Sequence, residues 1–477
     1  MMRGATDMIG KTLAANDLRS GGALELNFSS PVLRPFVAAP PARPISPPPP
    51  HSPDSSIAPG ASLSRLGRPL AALIDQAVVS GASFLTAVMV GRLAGEQQLG
   101  LYSLGFTLVV LACGIQESLV LIPYTVFAAR AADEQRPQFA ASALLQSVLV
   151  SLAMSLCLAL GGMAATFGGG LPIGPVVAVL LVTVPMVLLR EFGRRFAFAH
   201  MRLDAALAID VSVAASQLAL LGWLAWSERL SAVAALATLA CCCGGVGLGW
   251  FWMGRRQFSL AKGRFVLDWR QNWSLGGWLL AGHVTGITQA YVLHWLLALI
   301  LGPAATGEFA AAVTIVSLAN PFILGAGNLL MPVTAHTFAR SGAAGVWQLA
   351  VRSTRWLGAG LAVFSLLAAL AGDWALRLVY GERFGGQALT VTLLALAISA
   401  AALGLAAEHG LRASDQPRAV FTANLSALVV TLLLAAWLVP SQRTTGAAAS
   451  LLGGNLVGCF LRWWAFRFAG FGGSKTT

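Results

Sequence analysis

The sequence predicts an all-α integral membrane protein with twelve transmembrane helices, arranged as two six-helix bundles around a central cavity. Three observations lead there. Of 477 residues, 57% are apolar and only 10% charged, with a mean hydropathy of +0.73; soluble domains carry about a quarter charged residues because their surfaces face water. Apolar runs long enough to cross a ~30 Å hydrocarbon core recur along the chain, without the alternation of barrel strands. A short motif also repeats at a fixed distance halfway along the chain.

The first element is a tail. Eleven of the 22 prolines fall between Pro31 and Pro59, mixed with Ser, Ala and Arg, a composition that favours a disordered or polyproline-like segment. Its Gly10-Lys11-Thr12 resembles part of a phosphate-binding loop, but Gly4 is one residue too far upstream and no strand precedes it. The twelve apolar runs follow at about 70–92, 99–124, 138–167, 173–196, 205–226, 230–253, 272–301, 307–332, 350–371, 387–409, 417–439 and 446–468. In lipid each must satisfy its own backbone hydrogen bonds, so each is read as helix. The expected division is a cytoplasmic tail 1–68, a first bundle 69–253, a cytoplasmic linker 254–271, a second bundle 272–470 and a short tail 471–477.

Charge sets the expected orientation. Of 31 Lys and Arg, five (Arg92, Arg229, Arg377, Arg383 and Arg443) fall on one side of the alternating breaks and the other 26 on the side of the two termini. The positive-inside rule therefore predicts a multi-pass protein of the cell (inner) membrane with both termini cytoplasmic. The net charge of +12 is topological, and no nucleic-acid partner is expected. The start lacks a basic segment followed by a short apolar one, so no cleavable signal peptide is expected and the first span serves as insertion signal. The six cysteines lie in apolar runs without metal-ligand neighbours and read as small packing residues.

The repeat joins spans one and two with Gly95-Glu96-Gln97-Gln98-Leu99-Gly100-Leu101-Tyr102. It joins spans seven and eight with Gly302-Pro303-Ala304-Ala305-Thr306-Gly307-Glu308-Phe309, at an offset of 207 that also carries Thr107 onto Thr314. An even number of spans separates the copies, so they run in the same direction and imply two halves related by an axis along the membrane normal.

These features, with Asp75-Gln76, Ser83-Phe84-Leu85, Gly100-Leu101-Tyr102 and the run from Arg190-Glu191-Phe192-Gly193-Arg194-Arg195 to His200, resemble polysaccharide-biosynthesis membrane proteins. These are the Wzx-like flippases of the multidrug/oligosaccharidyl-lipid/polysaccharide (MOP) exporter superfamily, whose transporters include the MATE type. Leu301 to Phe309, Asn320-Pro321-Phe322, Asn328 to Pro332 and Val379 to Phe384 extend the resemblance over about residues 65–470; the long Pro-rich tail departs from it. The resemblance implies translocation of a polyprenyl-diphosphate-linked oligosaccharide from the inner to the outer leaflet by alternating access, with membrane lipids around it and polysaccharide polymerases or synthases as partners.

Such a cargo needs cations and hydrogen-bond donors inside the membrane. Arg190, Arg194 and Arg195 at the end of span four suit a diphosphate headgroup, because guanidinium forks bind phosphate oxygens bidentately. The same cluster also suits topological anchoring, as do Arg352 and Arg355. Asp75 in span one and Glu117 in span two are candidates for ion coupling, against a reading as hydrated interfacial acids. Asp210, Glu408, His409 and Arg462 read as snorkelling helix-end groups. His283 and His294 are three turns apart and cannot share a metal. Gly245/Gly249, Gly282/Gly286 and Gly454/Gly458 suit close helix packing, and eight tryptophans (Trp223, Trp226, Trp250, Trp252, Trp273, Trp278, Trp463 and Trp464) suit an interfacial belt.

No enzyme motif is present, no metal or other cofactor is expected, and the outer loops are too short for a catalytic domain. Two rival readings stand beside the flippase: a MATE-type multidrug cation antiporter, and a non-transporting scaffold of a polysaccharide-synthesis complex that docks partners through its tail.

Overall fold

In a computed structural model the described residues are 61–128, 131–167, 173–259, 264–414 and 416–471, and among them the regular structure is helical throughout. The helices are α1 (Ala61–Met89), α2 (Glu96–Gln116), α3 (Ile122–Ala128), α4 (Arg136–Phe167), α5 (Gly174–Ala199), α6 (Leu203–Trp226), α7 (Ala232–Gly254), α8 (Arg264–Leu301), α9 (Pro303–Val316), α10 (Asn320–Tyr380), α11 (Ala388–Leu403), α12 (Leu405–Ala413) and α13 (Pro417–Phe471). The Pro-rich segment and Gly10-Lys11-Thr12 lie outside the described residues. Ala61 to Arg68, expected in the tail, instead form the first turns of α1, where Leu63, Leu66 and Leu70 already keep helical spacing. Likewise Arg264 to Gln271, expected in the linker, begin α8.

Ten described stretches are long and apolar enough to span a membrane. Two of them are hairpins. The 78 residues of Pro303–Tyr380 would run ~117 Å as one straight helix, several times the hydrocarbon thickness. The backbone leaves the helix at Gly342, and beyond it Gly345 meets Thr337 while Gly360 meets Phe322, an antiparallel register. In α13 the break is Arg443, and Gly446, Gly454 and Gly458 return along Leu438, Thr431 and Ala427. Counting each hairpin as two crossings gives the expected twelve.

Within the first six crossings, α5 packs on α7 and α4, and α1 on α6; within the last six, α11 packs on α13 and α10, and α13 on α8. The two sets meet along α2, which lies against α8 and α9. The closest part of that seam is made by the sequence repeat. Gly95 and Gly302 adopt the same backbone conformation (φ 90, ψ 174 and φ 91, ψ 172), a region open to glycine because a Cβ would clash there. Gly100 then lies on the carbonyl of Pro303, while Gly307 lies on the carbonyl of Glu96. Since 303 is 96 plus 207 and 307 is 100 plus 207, the contact is isologous: each copy presents to the other the same patch that it receives. A side chain larger than hydrogen at either glycine would overlap backbone. Nearby, Arg92 donates to the carbonyls of Leu378 and Val379 at 2.7 and 3.1 Å, and the Tyr380 ring covers Gly91. This end of the molecule is closed.

Towards the other end the seam continues through Gly114, against His283 and Ile287, and Gly276, against the backbone of Ser118. Asn272 donates to Gln146 at 2.7 Å across it.

Candidate functional site

The arginine-rich segment of α5 is positioned by two opposite faces. Pro185 has no amide hydrogen, so the Leu181 carbonyl it leaves free accepts from Ser155 Oγ at 3.5 Å. Beyond that proline, Phe192 and Phe196 enter an aromatic cluster with Tyr124, Trp250 and Phe258, ring centroids 5.4–6.4 Å apart. Gly193 lets the Trp250 indole reach the helix backbone. With that face anchored, Arg190 and Arg194, one turn apart, project to the inside of the first bundle.

There they meet carboxylates from three helices. Asp210 of α6, whose side chain is 0% exposed, pairs with Arg190 and accepts from Arg194 Nε at 2.7 Å. Asp75 of α1 accepts from Arg194 Nη2 at 2.7 Å. Glu191 pairs with Arg190 and lies 3.9 Å from Arg194. Arg195 turns away to Glu117, which opens a single π-helical turn, Glu117–Leu121, between α2 and α3. The preceding Gln116 donates to the Leu188 carbonyl at 2.9 Å and to Ser147 at 3.2 Å, tying α2 to α5 and α4.

The sequence suggested two separate sets, three arginines for a headgroup and two acids for an ion. The structure joins them: three guanidinium groups face four carboxylates, Asp75, Glu117, Glu191 and Asp210. Asp75 and Glu117 share no arginine: Arg194 holds the first and Arg195 the second. The group that the sequence undervalued is Asp210. Its place seven residues into a helix suggested a snorkelling end group, but α1 and α5 cover it completely; the cue was a lone acid inside an apolar run. The Asp75 and Asp210 carboxylates also face each other between the arginines, and Asp75 Oδ1 is buried without a hydrogen-bond donor.

Each bundle also encloses a cavity, and the two correspond. The cavity of the first bundle, about 200 Å³, is lined by Val79, Ala82, Ser83, Phe106, Cys113, Val187, Glu191 and Gln217, among others. The cavity of the second, about 440 Å³, is lined at the positions 207 residues later: Gly286, Gln289, Ala290, Val313, Asn320, Leu394, Ile398 and Asn424. The chemistry differs. The first includes Arg190, Glu191 and Asp210, whereas the second includes Gln289, Asn320, Asn424 and Asn455 with a single acid, Glu408, and a single base, Arg462.

Other expectations fare unevenly. Arg462 is buried, 9% exposed at its side chain, and lies 3.6 Å from Glu408, which Arg412 also holds at 2.5 Å; it does not snorkel. Arg352 and Arg355 are exposed. Gly454 and Gly458 do pack closely, but Gly245, Gly249, Gly282 and Gly286 face open space: Gly286 lines the second cavity, and Gly245 and Gly249 line a groove of about 580 Å³ beside Trp250. Trp223, Trp226, Trp252, Trp273 and Trp464 are exposed as a belt requires. Trp250 and Trp463 are instead inside aromatic clusters, the latter donating to the Leu403 carbonyl at 2.9 Å.

No protein-family model and no curated protein matches this sequence. Solved structures do. Superposition on the inward-facing conformation of a multidrug resistance MATE family transporter of the MOP superfamily gives a TM-score of 0.72 at 13% identity, covering 84% of this chain and 96% of that one. The outward-facing conformation of such a transporter gives 0.61 at 14%, covering 85% and 95%. A MOP superfamily transporter from Pyrococcus furiosus, described by the reverse polarity of its binding pocket and a different function, also gives 0.61 at 14%, covering 85% and 95%. The chain therefore has the MATE/MOP fold.

Proposed function

We propose that the protein is a membrane transporter of alternating access that carries a polyprenyl-diphosphate-linked oligosaccharide from the inner to the outer leaflet of the cell membrane. The observation that carries the transport reading is the closed end. Two like bundles meet there along α2 and α9 through the reciprocal contact of Gly100 with Pro303 and Gly307 with Glu96, which a rigid-body motion of one bundle against the other would part. With the termini cytoplasmic, as the Lys and Arg distribution favours, that end faces outward and the cargo enters from the inside.

The cargo reading rests on the resemblance of the sequence and on charge. The larger cavity offers amides and one acid, Glu408, held by both Arg412 and Arg462, not the free carboxylates that a cationic drug needs. The reversed pocket polarity described for the Pyrococcus furiosus transporter is a precedent for changing cargo on this fold. Arg190, Arg194 and Arg195 serve the diphosphate by exchanging carboxylate partners for phosphate oxygens during entry, the two being alternative bidentate ligands for a guanidinium. Asp75, with its unpartnered oxygen, is the ion-coupling group; Glu117 positions Arg195.

The test is complementation in cells lacking the protein, reading lipid-linked glycan trapped on the inner leaflet. Wild type should clear it; Arg190→Ala, Arg194→Ala and Asp75→Asn should each leave most of it. A wild-type protein that leaves the inner-leaflet pool unchanged sinks the cargo assignment. The rival cation-antiport reading draws on the one carboxylate in excess in the first bundle. It predicts export of cationic dyes that depends on Asp75.

A further inference from the structure

We propose that the cavity inside the second bundle is a binding site for a neutral, hydroxyl-rich ligand: a saccharide unit. The inference deepens the glycan-transport reading and rests on it for the physiological source of the sugar.

The argument begins with volume. At about 440 Å³ the cavity falls in the ~300–1,000 Å³ range of small-molecule sites, and Asn320 at its rim is exposed, so it communicates with the outside of the bundle. Its polar groups are next. Gln289 donates to Asn455 Oδ1 at 2.8 Å, and Asn455 donates in turn to the Ala397 carbonyl at 2.9 Å, a chain that fixes both amides on the wall. Two groups on that wall carry buried polar atoms without a partner: Asn424 Oδ1, an acceptor, and Arg462 Nε, a donor on a side chain nine-tenths buried. Buried polar atoms left unpaired cost ~1–3 kcal/mol each, which a ligand offering the complementary group would recover.

Charge then selects the ligand class. Glu408 is held by both Arg462 at 3.6 Å and Arg412 at 2.5 Å, so the wall offers a cation no unopposed carboxylate, and Arg462 keeps a donor for an acceptor oxygen. What remains is a mixture of donors and acceptors on planar groups, beside the apolar surfaces of Tyr291 and Phe309. Hydroxyls, which donate and accept at once, suit the amides, and the C–H faces of a sugar ring suit the aromatic walls. The comparison with the first bundle sharpens this. Gln289 and Asn320 stand where the first bundle has Ala82 and Cys113, so these amides are additions to a shared frame and are not inherited from it.

The test uses purified full-length protein in a detergent without a sugar headgroup, and follows binding of sucrose and of methyl glucoside, methyl galactoside and N-acetylglucosamine by saturation-transfer NMR. Wild type should bind at least one of them saturably. Asn424→Leu and Asn455→Leu should weaken it about tenfold, the equivalent of one lost hydrogen bond at 1.4 kcal/mol per decade, and Gln217→Leu in the first bundle should not. Asn424→Leu removes an oxygen that has no partner in the protein, so it keeps the test decisive if Asn455→Leu fails to fold. Absence of saturable binding to every sugar, or unchanged affinity in Asn424→Leu, overturns the assignment. Translocation of lipid-linked glycan by the same preparations in vesicles reports separately on the transport reading: sugar binding without translocation keeps the site and sinks the cargo, and translocation without sugar binding does the reverse.

Discussion

The two bundles share a frame and differ in what they bury. At positions 207 residues apart both enclose a cavity with matching walls, yet the first collects seven ionisable side chains around Arg190 and Arg194, and the second collects amides around Asn455. The difference shows how a duplicated scaffold can divide its work. Buried charge is costly unless it is paired, so charge is concentrated in one bundle, where α1, α5, α6 and the π-helical turn after α2 supply every partner. The other bundle avoids that cost with neutral hydrogen-bonding groups and keeps a larger space. Backbone close contact, which depends on shape and not on charge, is where the halves remain alike.

The sharpest test of this division is Asp210→Ala. It removes the carboxylate shared by two buried arginines, and position 417, its counterpart at the common offset, is a proline, so the second bundle has no equivalent. Breaking such a pair costs about 3–5 kcal/mol. The expected result in detergent is a large fall in melting temperature, partly restored by Asp210→Asn; a neutral outcome would show that the ionic core is dispensable.

The shared junction comes next. Gly100→Val and Gly307→Val should each force the closed end apart, with a destabilisation of about 1–3 kcal/mol, and they should do so equally. A cysteine introduced at Ala305, buried in the junction, should become reactive to a water-soluble maleimide in both backgrounds. If one substitution acts and the other does not, the symmetry of the contact is wrong.

Gln116→Leu should cost about 1–2 kcal/mol, because it leaves the Leu188 carbonyl and Ser147 without their donor. Thermal melting will show it. Least affected should be Arg195→Ala. Its pair with Glu117 is about a third exposed on each side, so a loss of at most about 1 kcal/mol is expected, while translocation should fall if Arg195 handles the headgroup.

Much of the architecture is readable along the chain, because lipid admits few alternatives: an apolar run of about 20 residues must be a helix, and polar breaks must be its ends. The repeat was equally legible, since Gly95 and Gly302 need a backbone region that other residues avoid. The candidate site was legible in part. Arg190, Arg194, Arg195, Asp75 and Glu117 stand out as polar residues in greasy surroundings, but Asp210 looked like an end group. The tryptophans Trp250 and Trp463 looked interfacial because hydropathy does not distinguish a ring facing lipid from one facing Phe192 or Phe466. Glycine pairs failed for a related reason: spacing of four puts both on one face, but not necessarily against a neighbour, as Gly245 and Gly249 show.

Composition and periodicity, acting locally through the backbone's need for internal hydrogen bonds in lipid, determined helices, their number and the doubling of the unit. Which arginine meets which acid, which face of each bundle is hollow, and that the two repeats clasp each other were decided by tertiary packing. Apart from Arg190 with its neighbour Glu191, those are contacts between residues well apart in the chain, from Arg194 with Asp210 to Arg195 with Glu117 and Gly100 with Pro303, and no local preference of the chain encodes them.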